Sequence, residues 1–168
     1  IGTRRRASFI MRLVRGKKES AVHREDIMPI IMACLSMSKQ KVGALIVIER
    51  SVGLNEIVSS GDIINADINQ RLIENIFFKN SPLHDGAMII CHKRIRAAGC
   101  ILPVSHDSNI PKSLGLRHRA ALGISQKSDC LAIIISEETG GISVAEDGQF
   151  RLRLTAEELE RTLTTEWE

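Results

Sequence analysis

The spacing of apolar positions changes several times along this chain, and each change predicts a new element. Over 21–38, Ile27, Ile30, Ile31, Cys34 and Leu35 share one helical face, so a helix is expected there, with Pro29 either kinking it or marking its start. The runs VGALIVIE, GAMIICH, RIRAAGCIL and CLAIIIS read as strands, and LRHRAALGISQ and TAEELERTL as helices. In TAEELERTL, Thr155 and Glu158 form a capping box with Leu154 and Leu159 placed as its hydrophobic staple. Helical and strand-like segments alternate, which predicts an α/β fold: a mixed β-sheet flanked by helices on both faces.

Two Asp-Gly pairs, the commonest short hairpin signal, behave differently under this test. Around Asp147-Gly148, Ile142 and Val144 on one side and Phe150, Leu152 and Leu154 on the other keep a period of two, which predicts a hairpin with one buried face. Asp85-Gly86 lacks that symmetry. Before it, Ile68, Leu72 and Ile76 stand at helical spacing, and after it AMII is a continuous apolar run suited to a strand covered on both faces. Asp85-Gly86 is therefore a helix-to-strand connection, where His84 and Asp85 either solvate a loop or lie at the lip of a site.

At 168 residues the chain is long enough for one compact domain and too short to expect two. The four cysteines lie in apolar surroundings without a CxxC pair, which suggests neither a disulfide framework nor a zinc ribbon and fits a reducing, cytosolic setting. Adjacent Cys91 and His92 could ligate a metal, but without a second close-spaced pair Cys91 reads as a buried structural thiol. The net charge of +3 is unevenly placed, because residues 1–18 hold seven Lys/Arg and no acid, leaving the remainder mildly acidic. This argues against a duplex-binding face over the whole domain, and few aromatics leave little for base stacking, so no nucleic-acid partner is expected. Residues 1–19 form a basic linker whose Phe9, Ile10, Leu13 and Val14 can make one helical stripe, ahead of a domain over 20–168. No run approaches the about 18 apolar residues of a spanning helix, and no signal-peptide pattern is present, so the chain as given is expected to be soluble.

In SLGLRHRAALGIS, Gly115 precedes a helical pattern whose first turn carries Arg117, His118 and Arg119. A helix N-terminus already carries about half a positive charge, so clustered bases there cost stability unless an anion arrives. Backbone N–H groups and arginine forks together suit a polyphosphate. Successive helical residues point about 100° apart, so Arg117 and Arg119 cannot both face one ligand. A third stretch, IIISEETGG, ends an apolar strand with Ser136, Glu137, Glu138 and Thr139, at the kind of strand terminus where α/β sheets bind ligands. Acids, an imidazole and an arginine-rich helix start are the inventory of metal-assisted phosphate chemistry. No GxxxxGK[ST], HExxH, GxSxG or convincing GxGxxG occurs.

Taken together, LHDGA, LRHRAALG and SEETGG, with GALIVIER and ILPVS, resemble the diadenylate cyclase domain of the membrane-anchored class, over roughly residues 20 to 165. The resemblance implies condensation of two ATP molecules to cyclic di-AMP with release of two pyrophosphates, in a face-to-face homodimer that need only be transient. It implies that Asp85 stands nearest the attacking 3′-hydroxyl, that Gly86 and Ala87 let the backbone approach the nucleotide, and that Arg117, His118 and Arg119 hold the phosphates. Gly115, Leu116, Ser136, Glu137, Glu138 and Thr139 would complete the nucleotide shell, with Leu102 beneath the base. A divalent metal (Mn²⁺, Mg²⁺ or Co²⁺) would sit on His84, Asp85 and Glu138. The basic N-terminus would follow membrane segments outside this chain and place the full-length protein at the cytoplasmic face of the membrane. Two departures bear on binding: Leu116 stands where threonine commonly precedes RHR, and Ile101 where an aromatic often precedes LP. A catalytically silent nucleotide sensor is the alternative, and it would need a broken acidic or RHR motif, whereas both are intact.

Overall fold

Strand β1 (Ala44–Ile48) is buried along its whole length because its side chains alternate between two cores: Ala44, Ile46 and Ile48 enter one, Leu45 and Val47 the other. The structure, a computed structural model, describes residues 25–166. Helix α1, described over 25–40, precedes β1; then follow α2 (Asn55–Ser59), β2 (Asp62–Asp67), α3 (Gln70–Phe77), β3 (Ala87–Cys91) and β4 (Arg94–Cys100). The chain continues through α4 (Leu116–Lys127), β5 (Leu131–Ile135), β6 (Ile142–Glu146), β7 (Gln149–Arg151) and α5 (Ala156–Glu166). The strands form one seven-stranded sheet in the order β2-β4-β3-β1-β5-β6-β7. Only β1 and β3 run parallel, so the sheet is mixed, as the alternation of elements predicts.

Each face of the sheet carries its own core. Ile27, Ile30 and Cys34 of α1, Ile73, Ile76 and Phe77 of α3, and Leu159 and Leu163 of α5 cover the face bearing Ile46, Met88 and Ile133. Val58 of α2 and Ala120, Ala121 and Ile124 of α4 cover the opposite face, bearing Val47, Ile89 and Ile134. In the antiparallel β1–β5 pair Ala44 lies opposite Ile135, so the beginnings of β1 and β3 and the end of β5 share one end of the sheet. That end carries the site.

Several local expectations are met and others need revision. The capping box forms: Glu158 N–H donates to Thr155 Oγ1 (3.1 Å) and Thr155 N–H to Glu158 Oε1 (3.3 Å), while Leu154 and Leu159 pack in one core. Asp147-Gly148 is a two-residue hairpin turn with both φ positive (51° and 74°) between β6 and β7. Residues 25–28 are already helical, so Pro29 does not start α1. The helix before Asp85 begins only at Gln70, where the Asn69 side chain accepts from Leu72 N–H (3.0 Å); it buries Ile73, Ile76 and Phe77, while Ile68 and Leu72 pack at its margin. Strand β2 and helix α2 are absent from the sequence reading. β2 is an exposed edge strand with a register shift, and Asn65 takes a φ of 51°, so no alternation survives to reveal it. β7 ends at Arg151, so Leu152 leaves the expected buried face and is exposed, while Leu154 returns to the core.

Candidate active site

The turn SPLHDGA approaches the sheet end by a route only glycine permits. Gly86 has a φ of +103°, and a Cβ there would lie 2.7 Å from Cys100 O and 2.8 Å from the Gly99 carbonyl carbon. This close approach sets Asp85 and His84 at the mouth of a cleft of about 880 Å³. Asp85 is 86% exposed, whereas the His84 side chain is partly buried. Ser81 O lies 2.7 Å from His84 Nδ1 and accepts its proton, and Nε2 faces Asp85 Oδ1 at 3.3 Å, as an acceptor whenever the ring is neutral. Two facing acceptors repel unless a proton or a cation lies between them. A histidine that gives its other N–H to a backbone carbonyl is the usual outer support of a metal ligand, so this pair fits a divalent ion.

The second wall is the start of α4. Gly115 supplies no side-chain cap, the first turn holds no acid, and Leu116 is exposed, so the free N–H groups of this turn face a cleft lined by Gly115, Leu116, Arg117 and His118. The Arg117 guanidinium lies on bare backbone at Gly43: a Cβ there would sit 2.5 Å from Nη1 and 2.7 Å from Cζ. Arg117 Nη1 is 3.6 Å from Glu137 Oε2, and Nε is buried without a hydrogen-bond partner. A buried donor without a partner is rare in a folded protein, and beside a cleft it suits an anionic ligand.

His118 is placed differently from its neighbour. It is only 6% exposed and packs edge-on to Phe150 with ring centroids 6.3 Å apart. Burial, then the adjacent Arg117 charge, hold its pKa below the ordinary 6.5, partly offset by Glu138. It lines the cleft as a packed ring whose burial disfavours the charged form. Arg119 lies outside the cleft lining; its carbonyl accepts Ser105 N–H (3.0 Å), tying α4 to the segment after β4. Gly123 permits that packing, since a Cβ there would collide with Pro103 O.

The third wall is SEETGG. Ser136 Oγ accepts N–H bonds from Glu138 and Thr139 (3.2 Å each), and Gly140, at φ +77°, closes the turn with its N–H on Ser136 O (2.8 Å). Ser136, Glu137, Glu138 and Thr139 all line the cleft. Leu102 lines it from a buried position, and Ile101 from an exposed one. Ala87 is fully buried in the core and does not line the cleft. Glu138 shares the cleft with His84 and Asp85 but does not join them as a three-donor cluster; among the described residues the one such cluster is Glu49, Cys91 and His92, at the other end of the sheet. Two lining features escape the sequence reading, Arg153, which follows β7 with a φ of 55°, and the 111–114 segment, and so does the Gly43 seat behind Arg117, which lies outside the lining itself. None carries a motif, and each reaches the site only through chain crossings.

Comparison with known proteins agrees with the resemblance in the motifs. The family model described as DAC, DisA bacterial checkpoint controller nucleotide-binding, matches residues 31–150. The chain is 44% identical over 152 residues to the cyclic di-AMP synthase CdaA of Bacillus subtilis (strain 168), covering 90% of this chain and 56% of that protein. It is 45% identical over 130 residues to a diadenylate cyclase of Listeria monocytogenes serotype 1/2a (strain 10403S), covering 77% and 48%. A crystal structure of a double mutant of DacA from Staphylococcus aureus superposes with a TM-score of 0.85 at 44% identity, over 86% of this chain and 96% of that one. A hypothetical membrane spanning protein from Bacillus cereus gives 0.75 at 40% identity, over 78% and 64%. The chain spans about half the length of the curated relatives it matches.

Proposed function

Because this chain belongs to the diadenylate cyclase (DAC) family, we propose that it condenses two ATP molecules into cyclic di-AMP with release of two pyrophosphates. The observation that carries this reading is convergence: an exposed carboxylate at Asp85 and an uncapped, arginine-bearing helix start line one cleft of nucleotide size, although they are 32 residues apart in sequence.

Each protomer holds one ATP, and two clefts meet face to face in a homodimer. The 3′-hydroxyl of one ribose attacks the α-phosphorus of the opposite nucleotide, forming a P–O bond as the bond to pyrophosphate breaks. The exposure of Asp85 suits an acceptor that must reach a hydroxyl delivered from across the interface. Arg117 and the N–H groups of α4 hold the β- and γ-phosphates and stabilise charge on the leaving pyrophosphate. Glu137 is the exposed counter-ion that phosphate displaces from Arg117. The Ser136 hydroxyl, which accepts two backbone N–H bonds, keeps its own proton to donate. Leu102 and Ile101 offer the adenine an aliphatic surface. His84 and Asp85 would hold a divalent cation (Mn²⁺, Mg²⁺ or Co²⁺), which when bound supplies Lewis-acid polarisation of a phosphoryl oxygen.

The basic residues 1–19, outside the described residues, would lie at the cytoplasmic face of the membrane in the full-length protein. No helix among the described residues is long and apolar enough to cross one. The test is incubation with labelled ATP and Mn²⁺ followed by product chromatography. Cyclic di-AMP is expected, with specific activity rising with protein concentration; nucleotide binding without product would leave the silent-sensor alternative.

A further inference from the structure

At the sheet end opposite the cleft, the parallel β1–β3 pairing places Glu49 beside Cys91, with Glu49 N–H donating to Ile90 O (2.9 Å). The Cys91 thiol donates to Glu49 Oε1 (2.8 Å), and Leu54 N–H holds Glu49 Oε2 (2.9 Å). His92 follows in the β3–β4 turn, and a ring nitrogen, the thiol sulfur and a carboxylate oxygen all lie within 4.8 Å of one another. We propose that Glu49, Cys91 and His92 form a site for a thiophilic divalent cation of the zinc type.

The donor chemistry selects the ion. Thiolate, imidazole and carboxylate together favour zinc over magnesium or calcium, and three protein donors leave a fourth position for water. Donors on a tetrahedral zinc stand roughly 3.5 Å apart, so the Cys91–Glu49 pair opens by less than about 1 Å to admit the ion. Binding breaks the S–H bond, forms the S–metal bond and releases the proton to solvent. Burial and the Glu49 carboxylate raise the Cys91 thiol pKa, an effect that the Arg96 guanidinium, 3.9 Å from Sγ, offsets in part, and the other arm of Arg96 rests on Asn55. Glu49 is already oriented by a backbone N–H, as ligating carboxylates are in built sites. His92 and Lys93 occupy the turn with φ of 51° and 63°, where asparagine and glycine are the residues of lowest strain.

Cobalt(II) titration of the purified chain, without nucleotide, tests the site, because a cobalt–thiolate bond gives a near-ultraviolet charge-transfer band. The band is expected, and zinc should displace it. It should vanish in Cys91→Ser, which preserves side-chain size, and persist in Asp85→Asn, which alters only the cleft. His92→Asn should leave the melting temperature without metal no lower, since asparagine tolerates the left-handed turn, while weakening zinc binding at least about tenfold. No band at millimolar cobalt, a band that survives Cys91→Ser, or undiminished affinity in His92→Asn would each overturn the assignment.

Discussion

Asp85-Gly86 and Asp147-Gly148 are the same dipeptide put to two uses. At 147–148 both residues take positive φ and the pair does nothing but reverse the chain between β6 and β7. At 85–86 only Gly86 is left-handed, and it is pressed against the backbone of Gly99 and Cys100. The turn there is a means of bringing an acid to the mouth of a cleft. The same local signal therefore serves the scaffold in one place and the site in the other, and the surroundings decide which.

The sharpest way to break this contrast is to neutralise both acids. Asp85→Asn is expected to lower cyclic di-AMP formation by at least about a hundredfold with an unchanged melting temperature, and Asp147→Asn to leave the rate within about twofold. Equal losses in the two variants would place Asp85 among the structural turn residues. The glycines should separate by stability rather than by rate. Gly86→Ala meets both an unfavourable φ and backbone at 2.7 Å, so a loss of about 2–4 kcal/mol is expected in urea unfolding, against about 1 kcal/mol for Gly148→Ala, whose nearest neighbour is the flexible Gln126 side chain.

The same division runs through adjacent residues of α4. Gly43→Ala should unseat Arg117 and raise KM for ATP about tenfold with little change in melting temperature, and the effect should be absent when Arg117 is already alanine. Additive losses in that double variant would mean that Gly43 acts independently of the arginine. For His118 the smallest effect is expected, and it concerns stability. Its folded pKa lies below the ordinary 6.5, so the unfolded chain takes up a proton first as the medium is acidified. The stabilising contribution is complete above pH 6.5 and is lost as pH falls from there through the folded-state value. Chemical denaturation between pH 7.5 and 5.5 should show this loss, and His118→Gln should flatten that part of the profile.

Much of the scaffold was legible in residue order, because burial on both faces of a sheet forces runs such as ALIVI, AMIIC and LAIII, and because the Thr155–Glu158 cap is a purely local arrangement. The three motifs likewise announced phosphate chemistry, since an acid-free helix start carrying arginines is unfavourable on its own. What the chain order could not convey is which side chain of a motif faces the ligand. Arg117, His118 and Arg119 are consecutive, yet the helical turn sets one in the cleft on a glycine seat, packs the second at the cleft wall against Phe150 and leaves the third outside the lining. The edge strand β2, the Gly43 seat and Arg153 were equally invisible, and Cys91 and His92 stood out as a pair without the Glu49 that joins them, because each depends on segments meeting across tens of residues. Periodicity records how a segment meets water, whereas only the closed sheet determines which distant segments meet one another.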